Sequence, residues 1–254
     1  MLSDDEENDS LGGDLFQEPE GFYQPEKPAT YADHMLKSGQ TLKLRLHEKG
    51  HLLWNAGRTI ANFLEDHREE LVKDKTVLEL GAGAGLPSLT CAIYRARQVV
   101  VTDYPDPELI ANLRENIESC ELLPEPPNIY AEGYLWGAST EALTRHLSPS
   151  DEARFDLLIL ADLLFNHSEH QKLAATITKT LKKTPAAQAL VFFTPYRPWL
   201  YEKDLAFFDL AKAQGLVVTR ILEHAMEKVM FENDPGDEML RRTVFGFRLT
   251  WSNP

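Results

Sequence analysis

Short apolar runs that alternate with helix-forming segments restrict the fold of this sequence more than any other feature. Four runs are nearly continuous in apolar and β-branched residues, which is typical of strands in a parallel sheet that is covered on both faces. They are Thr76–Leu80, Gln98–Thr102, Phe155–Ala161 and Ala189–Thr194. Between them, apolar residues recur every four positions, which predicts amphipathic helices. The two series are Leu109, Leu113 and Ile117, and Leu173, Ile177 and Leu181. This alternation predicts an open α/β sheet with helices on both faces.

Three further segments complete the predicted sheet. Asn128–Ala131 and Leu216–Leu222 are shorter apolar runs. Near the carboxyl end, apolar residues alternate with a period of two and follow no helical pattern. They are Phe245, Phe247, Leu249 and Trp251. That period predicts a last strand antiparallel to Leu216–Leu222. The sequence therefore predicts a Rossmann-like sheet of seven strands, mostly parallel, with an antiparallel last strand.

Charge divides the chain into a tail and a domain. Of the net charge of −14, residues 1–33 carry −9, with ten acidic residues and one basic residue, Lys27. Residues 1–30 show no sustained apolar period and are predicted to be a largely disordered acidic tail. Residues 31–254, in a chain that is 43% hydrophobic, are predicted to form a single domain.

The composition also limits the location and partners of the protein. Its two cysteines, Cys91 and Cys120, are too few for a disulfide framework, and no run of 18 apolar residues occurs. The acidic N-terminus differs from a signal peptide. We therefore expect a cytoplasmic protein with no membrane partner, and we expect a monomer. The acidic excess argues against direct nucleic-acid binding and leaves basic partners open.

A glycine-rich turn follows the first predicted strand. Residues 77–87 read Val-Leu-Glu-Leu-Gly-Ala-Gly-Ala-Gly-Leu-Pro, so that a strand enters a tight turn and the proline suits the first turn of a helix. A dinucleotide-binding turn has a glycine at the position of Leu86, which disfavours an NAD-dependent oxidoreductase. Asp103 ends the second strand 22 residues after Gly81, where a carboxylate can bind both hydroxyls of a ribose. The turn, with Glu79 and Asp103, predicts a nucleoside cofactor.

Several segments resemble motifs of a known family. Glu79–Pro87 and Asp103 resemble the cofactor motifs of class I, seven-strand S-adenosylmethionine-dependent methyltransferases. Leu53–Gly57, Leu135–Gly137 and Ala161–Phe165 resemble methyltransferase family 16, the lysine methyltransferase-like group. Within that family the sequence is similar to fungal enzymes that methylate the N-terminus and a lysine of translation elongation factor 1-alpha, a group also described as nicotinamide N-methyltransferase-like. The resemblance covers nearly all of the predicted domain.

The resemblance implies a role for each motif residue. S-adenosylmethionine is the implied cofactor, with its methionine part along the glycine-rich turn, its ribose on Asp103 and its ammonium near Glu79. The implied cofactor-binding residues are Trp54, Glu79, Gly81, Ala82, Gly83, Asp103, Trp136 and Ala161. Asp162 is implied to capture and orient the substrate amine. Phe165 stands where many relatives have tyrosine, so it is expected to act only as an aromatic wall, which can hold a methylated ammonium by cation–π attraction.

The implied substrate is the basic N-terminal segment of translation elongation factor 1-alpha, methylated on its α-amine and on a neighbouring lysine. Methyl transfer needs a neutral amine, and the reference pKa of an α-amine, about 7.7–8.0, is lower than that of lysine, about 10.4. A small heteroaromatic amine such as nicotinamide is an alternative substrate. A closed pocket would favour that small molecule, whereas an open cleft with an acidic rim would favour a protein. A cofactor-binding interaction protein without catalysis is a third hypothesis.

The connection 225–240 is rich in acidic residues, with five against Lys228. They are Glu227, Glu232, Asp234, Asp237 and Glu238. If the strand Leu216–Leu222 is parallel to the others, this connection borders the ligand edge of the sheet. We hypothesise that it receives a basic protein segment.

Some of these residues also fit plainer structural roles. Asp162 could cap the next helix, Tyr196 could anchor a loop, and the two tryptophans Trp54 and Trp136 could pack in the core. The run His47-Glu48-Lys49-Gly50-His51 matches a zinc-protease motif. Because its glycine weakens the helix that the motif requires and no third ligand is evident, we expect no metal.

Overall fold

The computed structural model describes residues 30–47 and 52–253, which form nine strands and eight α-helices in that part of the chain. The strands are β1 (Thr30–Met35), β2 (Thr41–Leu46), β3 (Thr76–Leu80), β4 (Gln98–Asp103), β5 (Ile129–Gly133), β6 (Leu157–Ala161), β7 (Gln188–Phe193), β8 (Leu216–Ala225) and β9 (Thr243–Trp251). The helices are α1 (Asn55–Asp66), α2 (Arg68–Leu71), α3 (Leu86–Ile93), α4 (Pro107–Glu118), α5 (Glu141–Thr144), α6 (His170–Thr180), α7 (Tyr201–Ala213) and α8 (Glu238–Arg241).

Seven of the strands form one sheet in the order β5-β4-β3-β6-β7-β9-β8. The five strands β3 to β7 pair in parallel, whereas β9 is antiparallel to both of its neighbours, β7 and β8. Since β9 is antiparallel to both, β8 runs in the same direction as β7. The predicted fold class is confirmed, including the antiparallel last strand and its pairing with the strand at 216–222.

Helices cover both faces of the sheet and create two cores. The alternation of side chains along β3 sends Val77 to one face and Leu78 and Leu80 to the other. On the first face, α1, α3 and α4 contribute buried residues such as Ile60, Leu89 and Leu113. On the second face, α6 and α7 contribute buried residues that include Leu173, Ile177 and Phe207. Both predicted amphipathic helices are therefore present, as α4 and α6.

Local signals set where the helices begin. Pro107 occupies the first turn of α4, and the side chain of Asp106 accepts a hydrogen bond from the backbone N–H of Glu108. Gly85, with a φ of 78°, precedes α3, and Pro87 lies in its first turn. The glycine-rich turn therefore passes directly into a helix, as its sequence predicts.

Some predicted boundaries need correction. The strand β6 begins at Leu157 rather than at Phe155, because Phe155 forms an isolated bridge with Leu181 and is fully buried. The hairpin of β1 and β2 was not predicted. Its signal is the alternation of Leu42, Leu44 and Leu46 with polar residues in β2, and all three leucines are buried in the first core.

The predicted tail, residues 1–30, lies outside the described residues except for Thr30, which begins β1. Across residues 30–47 and 52–253, the helices are all too short or too polar to cross a membrane.

Candidate active site

The carboxyl ends of the parallel strands open onto a large cavity of about 810 Å³. It lies where the sheet order reverses, because β4 and β6 flank β3 on opposite sides and the loops that follow these strands diverge there. All ten residues predicted for the site line this cavity. They are Trp54, Glu79, Gly81, Ala82, Gly83, Asp103, Trp136, Ala161, Asp162 and Phe165.

The glycine-rich turn after β3 forms one wall of the cavity. Gly81 and Gly83 have φ angles of 60° and 58°, which residues with side chains rarely adopt. A Cβ atom on Gly81 would lie 2.6 Å from Cδ2 of Leu163, so the turn packs closely against the loop that follows β6. A Cβ atom on Gly83 would meet no atom within 4 Å. Because Gly83 lines the cavity, this space lets a ligand approach the backbone, and the turn fits a cofactor.

Two carboxylates flank the turn. Asp103 accepts hydrogen bonds from the backbone N–H groups of Gly83 and Tyr104, both at 2.7 Å, and burial raises its pKa. Glu79 is 1% exposed and accepts a hydrogen bond of 2.9 Å from the backbone N–H of Ser88 in α3. Burial raises the pKa of Glu79 to about 8. A cationic ligand group nearby would favour the ionised form of such a carboxyl group.

Asp162 joins three parts of the fold at the cavity. Its Oδ1 accepts a hydrogen bond of 2.7 Å from the backbone N–H of Thr194, which follows β7. Its Oδ2 accepts one of 3.0 Å from the backbone N–H of Ala56 in α1, and the hydroxyl of Tyr196 lies 3.5 Å away as a further donor. Burial raises the pKa of Asp162 to about 7, against the opposing effect of these donors. The helix that Asp162 contacts is α1, so the interpretation that it caps the next helix along the chain is wrong.

Three aromatic rings pack together beside Asp162. The ring of Trp54 lies 5.2 Å from that of Tyr196 and 5.9 Å from that of Phe231, and the latter two rings are 5.8 Å apart, measured between centroids. The hydroxyl of Tyr196 accepts a hydrogen bond of 3.3 Å from the backbone N–H of Asn55. Tyr196 therefore anchors the loop after β7 to the start of α1, while the three rings together line the cavity.

Phe165 and Trp136 are two further aromatic residues of the cavity lining. Trp54 is 39% exposed and Phe165 is 61% exposed, so neither is a core residue. The guanidinium of Arg197 donates a hydrogen bond of 2.7 Å to the backbone carbonyl of Phe165 and so fixes the loop after β6. Trp136 lies over the turn, since a Cβ atom on Gly81 would be 3.5 Å from its Cζ2.

Sequence reasoning did not assign several residues of the cavity lining to the site, among them Thr194 and Phe231. Both line the cavity, and both come from segments that follow strands ending at this edge of the sheet. Phe231 belongs to the acidic connection after β8, which therefore reaches the cavity as expected. The carboxylates of this connection are exposed, and the side chain of Asp237 caps α8 by accepting a hydrogen bond from the backbone N–H of Leu240.

The zinc-like motif at 47–51 lies mostly outside the described residues. Its first residue, His47, lies 3.4 Å from a carboxylate oxygen of Glu108.

The order of the seven strands, the cradle at Gly83 and the carboxylate at the end of β4 together define a class I methyltransferase, whose methyl donor is S-adenosylmethionine. Within this class, the chain belongs to the lysine methyltransferase family, whose sequence model matches residues 39–214.

Fungal relatives are similar over nearly their whole length. The protein N-terminal and lysine N-methyltransferase efm7 of Aspergillus fumigatus is 49% identical over 97% of this chain and 97% of its own. The protein of the same name from Neurospora crassa is 50% identical over 98% of this chain and 92% of its own. The protein of the same name from Schizosaccharomyces pombe is 42% identical over 96% of this chain and 97% of its own.

Solved structures share the fold at low sequence identity. A protein assigned as a methyltransferase and crystallised with SAH is 14% identical, with a TM-score of 0.59, over 89% of this chain and 57% of the other. The precorrin-6y C5,15-methyltransferase of Geobacter metallireducens is 14% identical, with a TM-score of 0.52, over 82% of this chain and 93% of its own. These likenesses concern the fold alone.

Proposed function

We propose that this protein methylates the N-terminal α-amine and an adjacent lysine of translation elongation factor 1-alpha. The names of the fungal relatives support the two kinds of amine, since each is a protein N-terminal and lysine N-methyltransferase. The choice of elongation factor rests on the resemblance of the motifs at 53–57 and 161–165. The two free thiols, Cys91 and Cys120, fit the cytoplasmic location that this substrate implies.

The observation that carries the proposal is an open cleft with a carboxylate inside and apolar side chains at its mouth. Asp162 lies within the cavity, and five large apolar residues with exposed surface line it. They are Leu52, Trp54, Tyr104, Leu135 and Phe165. Exposed apolar surface around a cavity is typical of a site that binds a polypeptide. A small aromatic amine would be better bound by an enclosed pocket, in which most of its surface is buried.

The chemistry is an in-line displacement. The bound cofactor supplies a methyl group on a positively charged sulfur, and the amine lone pair forms the new N–C bond as the S–C bond breaks. The protein orients the amine and excludes water, which contributes much of the rate. Asp162 holds the amine by accepting its N–H. With a pKa of about 7, Asp162 can also accept the proton of an α-ammonium, whose reference pKa of about 7.7–8.0 is close. Lysine, at about 10.4, gives up its proton less readily.

The test is methylation of purified elongation factor 1-alpha, taken from cells that lack the enzyme, with methyl-labelled S-adenosylmethionine. Mass spectrometry of the N-terminal peptide should show label on both amines. A substrate with an acetylated N-terminus should keep only the lysine label, and one with the lysine replaced by arginine only the α-amine label. Nicotinamide and a cell lysate serve as alternative substrates in parallel assays. Label in nicotinamide instead of the elongation factor would favour a small-molecule enzyme. No labelled species in the lysate would favour a non-catalytic protein.

A further inference from the structure

Thr194, the residue after β7, has a buried hydroxyl without a hydrogen-bond partner. The residue is 6% exposed, and its Oγ1 completes no hydrogen bond with any of residues 30–47 and 52–253. Burying a hydroxyl without a partner costs free energy, so native proteins rarely leave one unpaired without a functional reason. Because Thr194 lines the cavity, a bound ligand can supply the missing hydrogen bond.

The hydroxyl lies beside the carboxylate that is expected to hold the substrate. The backbone N–H of Thr194 donates a hydrogen bond of 2.7 Å to Oδ1 of Asp162. The Thr194 hydroxyl is near enough to Asp162 and Tyr196 to lower the pKa of both groups, although its geometry completes a hydrogen bond with neither. The hydroxyl of Tyr196 already accepts a hydrogen bond from the backbone N–H of Asn55. A hydroxyl that lowers the pKa of a carboxyl group points its proton toward it, so the lone pairs of Thr194 Oγ1 remain for an N–H donor next to Asp162.

We propose that Thr194 Oγ1 accepts one N–H of the neutral substrate amine while Asp162 accepts the other. This inference rests on the proposed function, because it requires an amine substrate. A neutral primary amine has two N–H groups and one lone pair. When the protein binds both N–H groups, the orientation of the nitrogen is fixed. Its lone pair then points in one defined direction, which can be toward the methyl carbon. The amine then gains the methyl group, the electrons of the S–C bond stay on sulfur, and the resulting ammonium loses one proton.

Successive methylation changes how much Thr194 contributes. Each added methyl group replaces one N–H, so that a neutral secondary amine has one N–H and a tertiary amine has none. Asp162 alone can hold the secondary amine, and neither acceptor can hold the tertiary amine by a hydrogen bond. Thr194 therefore accelerates the first transfer most and the third transfer not at all.

The variant Thr194→Val tests this role, because valine has nearly the same shape and keeps the backbone N–H that Asp162 accepts. The substrates are three synthetic peptides with the N-terminal sequence of elongation factor 1-alpha, in which norleucine replaces the lysine. Their α-amines are free, monomethylated or dimethylated. We expect kcat/KM of the variant to fall about tenfold for the free amine, the usual effect of one lost hydrogen bond. The loss should be smaller for the monomethylated peptide and absent for the dimethylated one.

Two further variants make the result specific. Thr194→Ser keeps the hydroxyl and should restore most of the activity on the free amine. Thr180→Val removes another buried hydroxyl, which donates a hydrogen bond of 2.8 Å to the backbone carbonyl of Thr176 in α6, and should leave all three rates unchanged. Since the valine at 194 removes an unpaired buried hydroxyl, the melting temperature of that variant should equal or exceed that of the wild type.

Equal losses of Thr194→Val on all three peptides, or no rescue by Thr194→Ser, would overturn the role of Thr194 while leaving the proposed function intact. A wild-type enzyme that labels none of the peptides would overturn both proposals.

Discussion

At the scale of single residues, the carboxylates of the cavity also hold the fold together. Glu79 accepts a backbone N–H from α3, Asp103 one from the glycine-rich turn, and Asp162 one from α1. Each carboxylate therefore holds a neighbouring segment of the cavity wall in position, and each is itself part of the cavity lining. Burial raises the pKa of all three, so their protonation links the stability of the fold to pH.

The raised pKa of Glu79 predicts that the folded protein loses stability as the pH rises. Its pKa is about 8 in the folded protein and 4.5 as a reference, so between these values the folded state holds a proton that the unfolded state has released. The free energy of unfolding should therefore fall with rising pH in this window, by up to about 1.4 kcal/mol per pH unit. Glu79→Gln, whose amide oxygen can still accept the N–H of Ser88, should flatten this dependence.

Urea unfolding at several pH values measures that slope. The pKa of Asp162, about 7, lies in the same window and adds a slope of the same sign, so the wild type and Glu79→Gln are compared at each pH. Glu70→Gln, at an exposed position of α2, serves as the control and should keep the wild-type slope. A Glu79→Gln variant with the wild-type slope would contradict the prediction.

Asp103 predicts a loss of cofactor affinity. Asp103→Ala removes the carboxylate at the end of β4 that is placed to bind the ribose, and the affinity for S-adenosylmethionine should weaken by about 1–3 kcal/mol. Isothermal titration calorimetry measures this change. Asp209→Ala, at an exposed position of α7 that does not line the cavity, should bind the cofactor as the wild type does. Unchanged cofactor affinity in Asp103→Ala would contradict the assignment of Asp103 as the residue that binds the ribose.

At the scale of elements, β8 decides where the acidic connection lies. Because β8 runs parallel to β7, its carboxyl end reaches the cavity edge, and the chain that follows returns through α8 to β9. Phe231 packs against Trp54, and Gly236 lies close to Pro198, since a Cβ atom there would be 3.1 Å from its Cγ. The connection is therefore fixed to the rim of the cavity with its carboxylates exposed.

Charge reversal in this connection should weaken the binding of a basic substrate. The variant changes Glu232, Asp234 and Glu238 to lysine and spares Asp237, which caps α8. We expect the KM for the elongation-factor peptide to rise several-fold, because like charges now face each other, while calorimetry shows unchanged cofactor affinity.

The matched control reverses three exposed acidic residues that lie outside the acidic connection and do not line the cavity, namely Glu70, Glu118 and Glu121. This variant has the same net charge as the first. An equal rise of KM in both variants would mean that only overall charge matters, and no rise in the first would exclude the connection as a substrate contact.

At the scale of the whole molecule, the net charge of −14 should steer a cationic substrate toward the protein. Raising the salt concentration from about 0.1 M to about 1 M shortens the Debye length from about 10 Å to about 3 Å. The KM for the basic peptide should therefore rise with salt. A peptide in which the lysine is replaced by norleucine serves as the comparison and should show a smaller rise. Salt-independent KM values for both peptides would contradict steering.

The strands of the sheet could be predicted from the sequence, because a buried parallel strand is a continuous apolar run. Such a run can be identified without knowing which strand pairs with it. The hairpin of β1 and β2 was missed because β2 is short and only alternate residues, Leu42, Leu44 and Leu46, are buried. The exact strand order, with β9 between β7 and β8, is likewise absent from any local pattern, because it depends on pairing between distant segments.

The sequence by itself determined the fold class and the glycine-rich turn through local periodicity, and its resemblance to a known family indicated ten site residues, all of which lie in the cavity lining. Only the tertiary structure decided which groups face one another there. It showed that Asp162 bridges α1 and the end of β7, that Phe231 arrives from a segment 66 residues further along than Phe165, and that the hydroxyl of Thr194 is left unpaired beside Asp162. Burial and hydrogen-bond partners are properties of the packed chain, so no spacing in the sequence encodes them directly.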